Sequence, residues 1–170
     1  MKKAYSTIRA FTLIELLVVI AIIALLTGII LTSLTASKAK ARDAERVSDL
    51  GQIQLALELY FDRCHQYPPS TVGNGIGAAS ALASASCTQQ SVNVPFTNYI
   101  SAIPTPPAGS TYDYVTNLTG SSPPSSATDY ILHVTLEGVS SASANGLTSP
   151  PSYAQGFTCD TNLNYCVGPK

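Results

Sequence analysis

A lone glutamate just inside a long apolar run constrains this chain more than any other feature. A short basic leader holds Lys2, Lys3 and Arg9, and Ala10 follows it. The chain then reads Phe11-Thr12-Leu13-Ile14-Glu15-Leu16-Leu17-Val18-Val19-Ile20, and from Leu16 to Ser37 no charged residue appears. Crossing a bilayer takes about 20 residues at 1.5 Å each, so the run predicts a membrane helix. A carboxylate at the centre of such a helix costs about 2.5–3.5 kcal/mol, and less near the interface. Retaining one there points to a use, and pairing with a positive group is the obvious one. A plain anchor, with Glu15 resting near the polar interface, is the alternative.

The order of the parts differs from that of an ordinary secretory signal, in which the small-residue cleavage site follows the apolar stretch. Here the small residue, Ala10, precedes it. A cut after Ala10 would remove the leader's charges, leave the helix on the mature protein and create a free amine on Phe11. Glu15 would sit about one helical turn further on.

The stretch Arg9-Ala10-Phe11-Thr12-Leu13-Ile14-Glu15-Leu16 resembles the processing site of type IV prepilins and of their secretion relatives, the pseudopilins. The resemblance implies that a prepilin peptidase cuts between Ala10 and Phe11 and methylates the Phe11 amine. It also implies that Glu15 pairs with that amine on a neighbouring subunit during assembly. The chain has Ala10 where the family usually has Gly, and Thr32 where many pilins have Pro.

Four segments follow from this reading: a leader over 1–10, a hydrophobic helix over 11–37, an amphipathic continuation over 38–67, and a loop-rich head over 68–170. In the continuation, Val47, Leu50, Ile53, Leu57, Tyr60 and Phe61 recur at helical spacing and mark one face for packing. Arg42, Asp43, Glu45, Arg46 and Asp49 allow opposite-charge pairs three residues apart and read as a water-facing stretch. A continuous helix from Phe11 to Tyr67 would be roughly 85 Å long. Gly28 and Gly51 are its internal weak points, and Pro68-Pro69 ends it. The sequence Leu55-Ala56-Leu57-Glu58-Leu59-Tyr60-Phe61, then Tyr67-Pro68, resembles the helix end of many pilins and pseudopilins.

The predicted fold class is α+β: a long N-terminal helix with a small antiparallel sheet packed on its C-terminal half. Short helices are expected at Ala78–Ala85 and Thr97–Ile103. Strands are expected at Tyr112–Thr116, at Asp129–Glu137 and through Phe157–Cys159, with Tyr165–Val167 as the return of the last. The run Thr119–Ser126 reads as a loop. Four cysteines, Cys64, Cys87, Cys159 and Cys166, lie beyond the apolar segment, where an oxidising compartment favours disulfides. Of three possible connectivities, Cys159–Cys166 closes a short loop and Cys64–Cys87 ties the following loop to the helix end; these two are preferred. A zinc site is the alternative, but the spacings give no well-placed ligand pair.

Removing the leader would leave six basic against ten acidic side chains, a net charge of about −4, which argues against a basic nucleic-acid surface. No nucleophile elbow and no phosphate loop occurs, and Asn117-Leu118-Thr119 reads as a turn rather than a glycosylated site. No catalytic residue, metal or cofactor is expected. The expected partners are copies of the same chain in a helical filament, a prepilin peptidase, an inner-membrane assembly platform, and the lipid bilayer before assembly. The expected location is therefore the inner membrane as a single-pass precursor, then an extracellular filament. Resembling pseudopilins usually carry an acidic calcium loop near the C terminus. Here the tail from Ser152 to Lys170 holds one acidic side chain, Asp160, too few for a cation that takes six to eight oxygens. That difference favours a pilus subunit over a secretion pseudopilin, with a non-polymerising anchored binding domain as the reading from another class.

Overall fold

The computed structural model describes residues 11–70, 77–107, 109–117, 127–138, 146, 147, 149–154, 158, 159 and 163–169, leaving aside the side chains at 29–33, 77 and 153. The expected loop at Thr119–Ser126 lies outside the described residues. The chain divides into an N-terminal unit ending at Lys38 and a C-terminal unit beginning at Ala39. Both take part of helix α1, Leu13–Cys64, which runs unbroken through Gly28 and Gly51. It ends three residues before the expected Tyr67. His65 takes a left-handed conformation (φ 54°) and donates its N–H to Phe61 O at 2.7 Å, which closes the helix without a glycine.

In the N-terminal unit every large apolar side chain from Leu13 to Leu26 is exposed, on all sides of the helix. Among the described residues no helix is long and apolar enough to cross a membrane.

The C-terminal unit is built on the inward face of α1. Leu50, Ile53, Leu57 and Tyr60 are fully buried, and Val47 and Phe61 flank them, as the apolar period requires. Against them lies a four-stranded antiparallel sheet in the order β1-β4-β5-β6: Gly77–Ala78, Tyr112–Thr116, Tyr130–Thr135 and Asn164–Val167. Alternation places Tyr112 and Tyr114 of β4 and Tyr130, Leu132 and Val134 of β5 in the core. Val115, Ile131 and Cys166 point to the other face, where Ala154 and Cys159 cover them in a second, smaller cluster. A separate hairpin, β2 Ser86–Gln89 and β3 Val92–Pro95, turns through Gln90 and Ser91, both with positive φ (51° and 67°). Two left-handed residues are what a tight two-residue hairpin demands, although Gln-Ser is not a usual pair for it.

Several expectations change. The helix expected at Ala78–Ala85 is a 3₁₀ segment, Ala79–Ser84, and the one at Thr97–Ile103 shrinks to Phe96–Asn98. Thr158 and Cys159 form no strand; the segment Tyr165–Val167 pairs with β5 instead. The charged stretch expected to face water does so only in part, because Asp43 and Arg46 are buried at 0% and 1% exposure. Arg46 donates to Asp43 Oδ1 at 2.7 Å, to Glu137 Oε1 at 2.8 Å and to Pro107 O at 3.3 Å. Asp43 also accepts the backbone N–H groups of Glu137 and Gly138, each at 2.9 Å. Arg42 grips Glu137 with Nε, at 2.8 Å, and Nη2. The reason for the burial is this satisfaction: each charge meets opposite charge and backbone, without which its desolvation would be prohibitive.

The Arg42 guanidinium, with Arg46 behind it, lowers the Glu137 carboxyl to about 2. A folded-state value below the unfolded one means that the pairing stabilises the head above about pH 4.5 and is lost as the pH falls toward 2. Thermal melts of the full chain in detergent from pH 5 to pH 2 should show a smaller fall in Tm for Glu137→Gln than for the native chain. Equal falls would remove Glu137 from the acid response.

Candidate assembly site at the helix start

The candidate residues picked out by sequence lie where the apolar helix begins. Ala10 is outside the described residues. Phe11 and Thr12 precede the first turn, and Phe11 is 84% exposed. Thr12 is the residue before the helix, and Glu15 stands three positions on. The Glu15 Oε2 atom accepts the Thr12 N–H and the Thr12 hydroxyl, both at 2.9 Å, while the Glu15 N–H donates to Thr12 Oγ1 at 3.3 Å. Each side chain thus satisfies the other's backbone. Thr-x-x-Glu is the pattern of a capping box, and it serves amides that have no carbonyl of a preceding turn to bond. Its negative charge also suits the positive end of the helix.

This capping role for Glu15 is legible in Thr12-Leu13-Ile14-Glu15, beside the pairing role that the resemblance implies. The two roles are compatible in geometry. Both cap bonds to the carboxylate fall on Oε2, and among the described residues Oε1 accepts none.

The cysteines pair as Cys64–Cys87 and Cys159–Cys166, with Cα separations of 6.1 and 5.6 Å. The first joins the end of α1 to β2, where Gln89 Nε2 also donates to Cys64 O at 3.3 Å. The second lies under the outer face of the sheet. His133 of β5 faces Asp113 across the strand pair at 3.1 Å and Asn164 at 3.3 Å, so it serves the sheet. Asn117 is held by Thr128 and the Asp129 N–H, in keeping with a turn.

The acidic calcium loop that the resemblance associates with pseudopilins has no counterpart among the described residues. Among the described residues no group of three or more His, Cys, Asp or Glu side chains gathers to hold a metal ion. The tail's single carboxylate, Asp160, lies outside them, and one carboxylate does not make a calcium site. This donor set does not fit the ion.

A family model described as the prokaryotic N-terminal methylation motif matches residues 6–31, the stretch that contains the cap and the proposed cut. Type II secretion system core protein G of Klebsiella pneumoniae is 36% identical over 105 residues, covering 61% of this chain and 71% of that protein. Its namesake in Escherichia coli (strain K12) is 32% identical over 104 residues, covering 61% and 69%. The chain belongs to the type IV pilin and pseudopilin family. The Dickeya chrysanthemi protein of the same name is also 32% identical, over 107 residues, covering 63% of this chain and 67% of its own. No solved structure matches significantly. These curated relatives carry a secretion name, the branch that the tail's lack of carboxylates had ranked second.

Replacing Thr12 by Val should remove the bonds made by its hydroxyl and keep the side chain's shape. The expected cost to the helix start is about 1 kcal/mol. Hydrogen exchange at residues 13–16, in detergent micelles, should quicken several-fold while the head stays protected; unchanged exchange would show that the cap does no work.

Proposed function

We propose that this chain is a structural, non-catalytic subunit of a type IV pilus-like filament. A prepilin peptidase cuts it between Ala10 and Phe11 and N-methylates Phe11, and the subunit then polymerises through α1. The observation that carries this reading is the conjunction at the helix start. A processing motif opens a helix whose large apolar side chains from Leu13 to Leu26 lie on every side and are covered by no described residue of its own unit. Such a helix needs lipid or other helices around it. In the precursor the bilayer supplies the cover, with residues 11–37 in the inner membrane. In the filament, like helices from other copies supply it, so the apolar surface stays dry throughout.

The cut exposes a positive amine on Phe11, one turn from the carboxylate. Glu15 Oε1 is free to meet the amine of the next copy while Oε2 keeps the cap. An out-of-register neighbour would leave an unpaired charge in a low-dielectric core, and that penalty selects the correct register. An inner-membrane assembly platform is the partner that would extract the subunit from lipid. The names of the curated relatives favour the secretion branch over a surface pilus.

The test separates insertion from assembly. Glu15→Gln keeps much of the side chain's hydrogen-bonding capacity but removes its charge. The variant should insert in membranes and be trimmed to a chain beginning at N-methylated Phe11, yet yield at least tenfold fewer sheared filaments by electron microscopy and mass spectrometry. Filament yield equal to the native chain would overturn the pairing role. Finding the native chain only in membranes, still beginning at Met1, would overturn the filament reading itself.

A further inference from the structure

Charge is distributed unevenly over this chain. From Cys64 to Tyr112 no Lys, Arg, Asp or Glu occurs, and from Cys64 to Pro169 there is no Lys or Arg at all. The described carboxylates beyond Tyr112 are engaged within the head: Asp113 with His133, Asp129 with the Tyr130 N–H, and Glu137 with Arg42 and Arg46. One cavity, of about 210 Å³, is lined wholly by the charge-free stretch. Its walls are the end of β1, the 3₁₀ segment that follows, the loop over 103–106 and the approach to β4. They are fixed from behind. Tyr112 is buried and donates its hydroxyl to Asp49 of α1 at 2.6 Å, and Ala78 pairs with Asp113 across β1 and β4. Pro104 and Pro106 hold their own φ, so the loop wall is stiff. The other polar side chains of the lining are Ser80, Thr105, Ser110 and Thr111, and among the described residues no hydrogen bond engages their hydroxyls.

We propose that this cavity binds one ring of an uncharged oligosaccharide. A sugar ring has apolar C–H faces and a rim of hydroxyls. The cavity matches both, with Ile103, Pro104 and Pro106 for the faces and four free hydroxyls for the rim, each able to donate and to accept. Its volume lies below the about 300 Å³ at which drug-sized pockets begin, which suits a single ring with the rest of the glycan outside. A phosphate, a nucleic acid or a sulfated glycan would meet no cation there, and a cationic guest would meet no carboxylate. Either would leave a charge unpaired against an apolar wall. A second copy of the chain is the competing occupant, but none of the lining residues is an exposed large apolar side chain of the kind that anchors a protein interface. The stiff walls lower the ordering cost of taking up a small ligand.

The inference goes beyond the filament reading and rests on the head alone, so the failure of either leaves the other standing. The full chain, held in a detergent without a sugar headgroup, is titrated by saturation-transfer NMR with maltotetraose, cellotetraose, mannotetraose and N-acetylchitotetraose, and with tetragalacturonate as the anionic control. At least one neutral tetrasaccharide should bind with a millimolar Kd that is the same at low and high salt, and tetragalacturonate should not bind. Thr105→Val/Thr111→Val should weaken that binding about fivefold or more, while hydrogen exchange of residues 112–116 stays native. Should that variant lose the fold, Ser80→Ala, at an exposed position, is titrated in its place with a loss of about the same size expected. No transfer to any neutral tetrasaccharide, equal transfer to tetragalacturonate, or native affinity in a folded variant would each overturn the assignment. Self-association of the chain that these variants weaken in the absence of sugar would overturn it too, and would give the cavity to a second copy.

Discussion

The head depends on a buried salt-bridge network that joins helix to sheet across more than ninety residues of chain. Asp43 and Arg46 stand one turn apart on α1, and Glu137 lies just beyond β5. An apolar stripe alone tolerates sliding, because leucines accept many neighbours. Two buried charges do not, since a shift of one turn would strand both in a low-dielectric interior. Asp43 goes further and takes the backbone N–H groups of Glu137 and Gly138, so the network also fixes where β5 stops. Gly138 suits that position: a Cβ there would lie 3.3 Å from Asp43 Oδ2.

The same logic repeats along the inward face of α1. Asp49 accepts the Tyr112 hydroxyl at 2.6 Å, and Glu58 accepts those of Tyr67 and Tyr130 at 3.0 and 3.1 Å. Burial, reinforced by Glu58, pushes both of these phenols above their ordinary range, so they stay protonated donors through neutral pH. Between these polar fixings sit Leu50, Ile53, Leu57 and Tyr60, which supply the dry contact. Apolar area supplies most of the attraction, while the polar pairs choose one register from the many that area would allow.

How much of this was readable depended on how far away each partner lies. The apolar stripe, the α+β class and strands β4 and β5 follow from local period and composition. The burial of Asp43 and Arg46 does not, because a charge pair three residues apart looks the same on a solvated helix; what buries it is Glu137, far along the chain. The β2–β3 hairpin escaped notice because Gln90-Ser91, though both left-handed, is not a pair that announces a tight turn. Of the strand expected through Phe157–Cys159, Phe157 lies outside the described residues, and Thr158 and Cys159 form no strand for a related reason. Tyr165-Cys166-Val167 found a better partner in β5 than in its own sequence neighbour. At the helix start, the Thr12–Glu15 cap was legible in the local pattern Thr12-Leu13-Ile14-Glu15.

The cap changes how the cost of Glu15 is reckoned. A carboxylate in lipid is expensive mainly because nothing donates to it, yet here one N–H and one hydroxyl already do, and the helix end adds its own positive field. Those same amides would be costly in lipid if left bare. Thr12 and Glu15 therefore cancel two liabilities at once, which on the proposed function would let a precursor wait in the membrane without its carboxylate forcing the helix out. Capping does not neutralise the charge, however. Inside a bundle of apolar helices a net negative group still favours any arrangement that brings a positive amine to it, and the proposed leader removal would create that amine one turn away. On the proposed function, tolerance in lipid and selectivity in the filament would thus come from different oxygens of one side chain.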